Sequence, residues 1–183
     1  REEKEQGFAV RWEDRAGYAN LHVCAADRQG LYALITGGIA ALGGNVITAR
    51  AYTRRDGLAL DSFGVNVDER PPGAELKEGI AALLHDCLVE GRDVEALIAE
   101  RRRRLSPFRQ APPPFPPRIK ADDRLVAGST VLDILTRDYP GLLTAVSRGL
   151  GAARANIRFA RILTRDGIAS LSFTIDGGGA AFM

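Results

Sequence analysis

The chain contains an internal repeat, and this limits its possible folds more than any other feature. Asp27, Gly30, Leu31, Gly38, Ala41, Asn45, Ala49, Arg50, Thr53 and Arg54 recur 111 residues later as Asp138, Gly141, Leu142, Gly149, Ala152, Asn156, Ala160, Arg161, Thr164 and Arg165. After a one-residue deletion, Asp56, Gly57, Ala59, Ser62 and Phe63 recur as Asp166, Gly167, Ala169, Ser172 and Phe173. The chain therefore holds two copies of one supersecondary unit, and any fold assigned to it must place both.

The residues within each copy predict the unit. An apolar, β-branched stretch opens it, Leu21 to Ala26 or Val131 to Leu135, and reads as a strand. Leu31, Leu34, Ile35, Ile39 and Leu42 then share one helical face, as do Leu142, Ala145, Val146, Leu150 and Ala153. Gly43-Gly44 breaks the first helix, and Asn45 or Asn156 begins a strand that runs to Thr53 or Thr164. Asp56-Gly57 and Asp166-Gly167 supply hairpin turns, after which Leu58 to Val67 and Ile168 to Ile175 return. Each unit has a β-α-β-β core.

After the first copy, Leu76, Ile80, Leu83, Leu84, Cys87 and Leu88 mark a second amphipathic helix, interrupted near Gly91 and resuming through Val94, Leu97 and Ile98. Arg101 to Arg104 end it. Cations suit the negative end of a helix, so these arginines read as a solvated terminus. Ser106 to Pro117, with its prolines and with Phe108 and Phe115, reads as an extended connector.

Several function classes are disfavoured. Net charge is +2, with 25 basic against 23 acidic residues and no long segment of one sign, so nucleic acid is not an expected partner. No apolar run is long enough to span a bilayer, the charged Arg1 to Gln6 is no signal peptide, and a cytoplasmic, membrane-free protein is expected. Arg1 in place of an initiator Met suggests a piece of a longer chain. Cys24 and Cys87, both in apolar segments, read as free buried thiols. His85-Asp86 sits within an amphipathic helix and reads as an ordinary helix position; with His22 it leaves too few histidines for a multi-histidine metal cage. Zinc held by His22, Cys24, His85 and Cys87 is disfavoured because residues two apart on a helix point about 200° apart. Gly177-Gly178-Gly179 lacks the following helix of a phosphate loop. No catalytic residue and no metal site are assigned.

Ala26-Asp27-Arg28-Gln29-Gly30-Leu31 with Asn45-Val46-Ile47-Thr48-Ala49-Arg50 and Asp56 to Phe63, and the second copy Arg137 to Leu143 with Asn156-Ile157, resemble the ACT domain family. The family pattern has Asp-Arg-Pro-Gly-Leu in the loop; Gln29 replaces its proline in the first copy and Tyr139 its arginine in the second. The pair, with its long connector, is similar to the C-terminal tandem of enzymes that uridylylate and deuridylylate the PII nitrogen-signalling protein. The resemblance covers about Phe8 to Asp176. It implies an α+β fold of two ferredoxin-like βαββαβ modules, the second incomplete, divided as 8–124 and 125–183. It also implies an amino-acid effector, glutamine in the resembled enzymes, with catalytic domains elsewhere in the parent chain and possible association between ACT modules. No cofactor is expected in this region, although the parent family uses Mg and UTP. Alternative readings are a sensor region of another amino-acid-regulated enzyme and an assembly module that binds nothing.

The resemblance carries effector-binding roles onto Asp27, Arg28, Gln29, Gly30, Leu31, Asn45 and Val46, and onto Asp138, Tyr139, Pro140, Gly141, Leu142, Asn156 and Ile157. Chemistry supports such a site independently. A helix N-terminus offers unpaired N–H groups to a carboxylate, Gly30 and Gly141 permit close approach, and the Asp and Asn side chains can bond an α-ammonium. The structural alternative stays open: Asp in such a loop is an ordinary helix N-cap, Asn is common where a helix hands over to a strand, and Gly makes turns.

The second copy ends too soon after Ile175 for a further helix and strand. Phe8 to Trp12 and Pro117 to Ala121 read as extra strands preceding the two copies. An exchange is expected, with Pro117 to Ala121 closing the first module and Phe8 to Trp12 the second.

Overall fold

The computed structural model describes residues 8–105, 116–139 and 141–176. Residues 106–115 of the connector, Arg1 to Gln6, Pro140 and the glycines of 177–179 lie outside them. Eight strands form one antiparallel sheet: β1 (Ala9–Arg15), β2 (Tyr18–Ala26), β3 (Asn45–Arg50), β4 (Leu58–Asn66), β5 (Arg118–Val126), β6 (Ser129–Arg137), β7 (Asn156–Arg165) and β8 (Ile168–Asp176). Four helices accompany them among the described residues: α1 (Leu31–Leu42), α2 (Ala74–Leu88), α3 (Val94–Leu105) and α4 (Leu142–Ala152). The strand order β1-β2-β4-β3-β7-β8-β6-β5 reads the same from either end once repeat counterparts are matched. The result is an α+β fold of two ferredoxin-like modules fused edge to edge.

The fusion is backbone pairing between β3 and β7, with Thr48 opposite Arg161, Ala49 opposite Ala160 and Arg50 opposite Phe159. Each of these strands would otherwise leave a row of unpaired N–H and C=O groups, and here each covers the other. Both copies carry a bulge one residue after the second position of the strand, at Ile47 in β3 and Arg158 in β7. A bulge bends its strand and re-aims the side chains beside it.

The expected strand exchange does not occur. β1 pairs with β2 of its own module along Ala9–Arg15, and β5 pairs with β6 from Arg118 to Leu135 outward. The reason is local: Ala16-Gly17 and Ala127-Gly128 join the strands in two residues, with Gly17 at φ 81° and Gly128 at φ 75°. So tight a turn folds each strand back on its neighbour before a distant edge can compete. β5 straddles residues 124 and 125, where the two modules are expected to divide, and belongs by pairing with β6.

Alternate residues of the central strands face the helices, giving the period-2 burial of a one-sided sheet. Phe63 and its counterpart Phe173 are fully buried at the centre of each half, among Leu21, Ile35, Ile39 and Val65 in the first half and Leu132, Leu171 and Ile175 in the second. α1 is the hub of the helical layer and touches α2, α3 and α4. Its Gly37-Gly38 step makes room: a Cβ on Gly38 would lie 2.9 Å from Leu84 Cδ2, and one on Gly37 would lie 3.1 Å from Val94 Cγ2. The second half has no counterpart of α2 or α3 among the described residues, and a Cβ on Gly149 would meet nothing. No helix of the described residues is long and apolar enough to cross a membrane. Cys24 and Cys87 are free thiols; Cys87 is buried and Cys24 partly so.

Candidate functional site

The first loop enters α1 through Gly30, which occupies the N-cap position at φ 85°. That backbone is left-handed and suits glycine alone among common residues at no cost. Gly141 does the same for α4 at φ 81°. Neither helix has a side-chain cap, so Asp27 and Asp138 are not N-caps. Instead the Asp27 N–H donates to the Gly57 carbonyl at 2.8 Å, as Asp138 N–H does to Gly167. The Thr53 hydroxyl donates to Asp27 Oδ2 at 3.0 Å. The Leu31 and Leu34 amides bond the carbonyls of Arg28 and Gly30, and those of Tyr32 and Ala33 have no backbone acceptor among the described residues. The first turn of α1 therefore presents free donors.

A cleft of about 390 Å³ opens at this helix end, lined by Asp27 to Ala33, by Ala51, Thr53, Ala59 and Asp61, and by Ser147, Gly151 and Arg154 to Ile157 of the other half. Its size falls in the usual range for small-ligand sites, roughly 300–1,000 Å³. Asp27, Arg28, Gln29, Gly30, Leu31, Asn156 and Ile157 are thus brought together, although they come from different copies. The antiparallel β3–β7 register is the cause. Beyond Arg50 and Phe159 the Ala51 amide still bonds the Arg158 carbonyl at 3.2 Å, which carries the start of β7 toward the Asp27 loop. Asn45 and Val46 lie at the far end of the seam, beyond Thr48 and Arg161, away from Asp27; Asn45 Nδ2 donates to Asn66 Oδ1 at 3.2 Å. Asp138, Tyr139, Gly141 and Leu142 head α4 and do not line this cleft. In this cleft the first loop thus meets Asn156 of the other copy across the seam.

The cleft carries both signs of charge. Arg28 and Arg154 line it and are exposed, and Arg154 sits at φ 58° where the chain leaves α4. Asp27 and Asp61 line it as well. Asp61 lies in the inward row of β4 at 6% exposure, a position otherwise taken by Ala59, Phe63 and Val65. Burial pushes its carboxyl up to about 7, the negative charge of Asp27 adds to this, and a hydrogen bond from the Tyr52 backbone amide pulls the other way. Tyr32, one residue into α1, packs its ring 5.3 Å from that of Phe63 and buries its hydroxyl without a hydrogen-bond partner. Burial first, and the Asp61 charge second, hold that phenol well above its ordinary range. Tyr32, Asp61, Thr53 and Arg154 were not singled out from sequence. An Asp in an inward strand row whose repeat counterpart is Leu171 was the available signal.

His85, Asp86 and Glu90 bring potential ligand atoms within 4.8 Å of one another, but His85 and Glu90 are exposed and the Asp86 carboxylate already pairs with Arg92 at 3.2 Å.

Fold and site together define a class: a fused tandem of ferredoxin-like modules with a small-ligand cleft on the seam. The chain is homologous to a region of the bifunctional uridylyltransferase/uridylyl-removing enzymes. It is 36% identical over 159 residues to that of Caulobacter vibrioides (strain NA1000 / CB15N), a match covering 85% of this chain and 17% of the relative. Identity to the enzyme of Gluconobacter oxydans (strain 621H) is 33% over 153 residues, 81% of this chain and 16% of the relative. For the enzyme of Rhodospirillum rubrum it is 35% over 145 residues, 78% and 15%. The matches thus span about 15–17% of the length of these relatives. No family model matches the chain.

Proposed function

We propose that this chain is the effector-sensing region of a bifunctional uridylyltransferase/uridylyl-removing enzyme, that its two halves are ACT-type modules, and that its cross-seam cleft binds an amino acid, glutamine in the first instance. The observation that carries this is the convergence of a free helix N-terminus, two arginines and two carboxylates on one cleft built from both modules. That arrangement is complementary to a zwitterion. The α-carboxylate would sit at the Tyr32 and Ala33 amides, where the helix dipole favours an anion and Arg28 and Arg154 add positive charge. The α-ammonium would face Asp27 and the Asn156 side chain.

A ligand held this way touches both modules at once. It therefore favours whichever relative setting of the two halves brings the α1 N-terminus and Asn156 together, and only that difference in affinity can bias a parent enzyme. Uridylyl transfer and removal, with the Mg and UTP they use, belong in this reading to the remainder of the parent chain, and control of nitrogen assimilation is the physiological role.

Isothermal titration of the purified chain with glutamine and the other proteinogenic amino acids tests the reading. Saturable binding that Arg154→Ala and Asn156→Ala each weaken severalfold is expected. A chain that binds no amino acid at millimolar concentration contradicts it.

A further inference from the structure

Ala49 and Ala160 oppose each other in the β3–β7 seam, and each is the repeat counterpart of the other, so a local twofold passes between them. Both are buried beneath the helices, at 1% and 0% exposure. The alternation of a strand therefore turns the next residues, Arg50 and Arg161, onto the face of the sheet away from the helices, where both are exposed. These two are repeat counterparts as well. Arg50 stands opposite Phe159 and Arg161 opposite Thr48, which makes the arginines diagonal neighbours with Cβ atoms roughly 7 Å apart.

Nothing around them balances their charge. On their other sides Arg50 faces Ser62 and Arg161 faces Ser172, so no cross-strand neighbour of either is a carboxylate. Asp133 lies a strand beyond Ser172, and Asp176 is paired with Arg158. Among the described residues neither Arg50 nor Arg161 has an ion-pair or hydrogen-bond partner. The repeat keeps the arginine and the serine in both halves, whereas the flanking pairs Thr48 and Phe159, and Gly64 and Thr174, differ. A second copy of the chain stacked on this face would bring four guanidinium groups together, so bare sheet-to-sheet association is disfavoured here.

We propose that this face is an anion site at the twofold, in which Arg50 and Arg161 grip one phosphoryl dianion from the two halves and the Ser62 and Ser172 hydroxyls donate beside them. Each guanidinium presents a fork of parallel N–H donors, and one fork already satisfies a lone carboxylate. Two forks across a twofold call for an anion with more oxygens and more charge, which a tetrahedral phosphate supplies. The amino-acid cleft opens at the N-terminus of α1 on the helical face, so neither site depends on the other.

Backbone amide chemical-shift mapping of the full chain titrated with inorganic phosphate, at pH 8 and constant ionic strength, tests this. Saturable shifts in residues 48–50, 62, 159–161 and 172 with millimolar affinity are expected, and acetate over the same range should produce none. Arg50→Gln and Arg161→Gln should each weaken phosphate by about tenfold. Arg50→Lys and Arg161→Lys keep the charge but lose the fork, and should each weaken it by about threefold or more. Adenosine monophosphate separates the sources: binding at least as tight as that of phosphate identifies a phosphate ester as the ligand, and binding of phosphate alone identifies the free anion, each supporting the site. Unchanged thermal unfolding establishes that each variant folds. No saturable response at tens of millimolar phosphate, shifts centred instead on Arg28 and Arg154, or lysine variants that bind as the wild type does, would overturn the proposal.

Discussion

The hydroxyls of Thr36 on α1 and Thr144 on α4 meet at 3.5 Å on the seam between the two halves, each residue almost fully buried. Thr36 Oγ1 lies 3.0 Å from the Tyr32 carbonyl and 3.1 Å from that of Ala33, so its proton goes to its own helix. With the Thr36 proton so placed, Thr36 Oγ1 is free to accept from the Thr144 hydroxyl.

That direction makes the pair unequal. Thr36→Val strands the Thr144 hydroxyl and should cost about 1–2 kcal/mol. Thr144→Val removes only a donor and should be nearly neutral, and the double variant should recover most of the loss. Urea unfolding of the four proteins checks this; equal costs for the two single changes would contradict the assigned direction, and a larger cost for Thr144→Val would reverse it.

Asp61 makes stability fall with pH. Its folded carboxyl titrates near 7 against an ordinary value of 3.8, so the folded state holds a proton that the unfolded chain has released. Its contribution is fully present below about 4 and is lost as pH rises through about 7. Burial, the Tyr52 amide and the negative charge of Asp27 fix where the step falls, and Arg28, Arg154 and Tyr32 line the same cleft. Asp61→Asn should remove the slope and, at pH 8, stabilise the ligand-free chain by on the order of 4 kcal/mol at most. Parallel pH profiles of the urea midpoint in wild type and variant would contradict this.

The helical layer predicts opposite outcomes at repeat-matched glycines. Gly38→Val drives a branched side chain into the buried Leu84 and should destabilise by about 1–3 kcal/mol. Gly149→Ala meets open space in the interior of α4 and should stabilise by about 0.5–1 kcal/mol. Thermal melting distinguishes the two, and similar effects at both sites would show that the first half is not packed as described.

A catalytic assay separates region from parent. The purified chain should show no uridylyl transfer to or removal from PII, and turnover by this chain alone would refute the assignment of catalysis to the remainder of the parent.

Much of this fold is legible in the residues. The repeat with its helical and alternating patterns marks both β-α-β-β units, because each element buries one face and its period records which. α2 and α3 are equally visible, including their break at Gly91. Pairing partners are less so. Every strand offers the same backbone groups, so pattern alone allows the distant exchange of Phe8 to Trp12 and Pro117 to Ala121, and the two-residue turns at Gly17 and Gly128 decide for the neighbouring strands. The β3–β7 seam leaves no periodic trace, so the residues alone do not tell that Asn156 rather than Asn45 shares a cleft with Asp27. Asp61 was visible as a carboxylate in a strand, but its inward orientation against Leu171 needs the strand register before it stands out.

The central claim is that one ligand is gripped by both halves across the seam. Backbone amide chemical-shift mapping of the full chain titrated with glutamine tests it most directly. The account predicts saturable shifts in residues 27–33, 51–61 and 151–157 together, spanning both modules with one affinity. Shifts confined to one module, or centred on residues 138–142 with Asn45 and Val46, would contradict it.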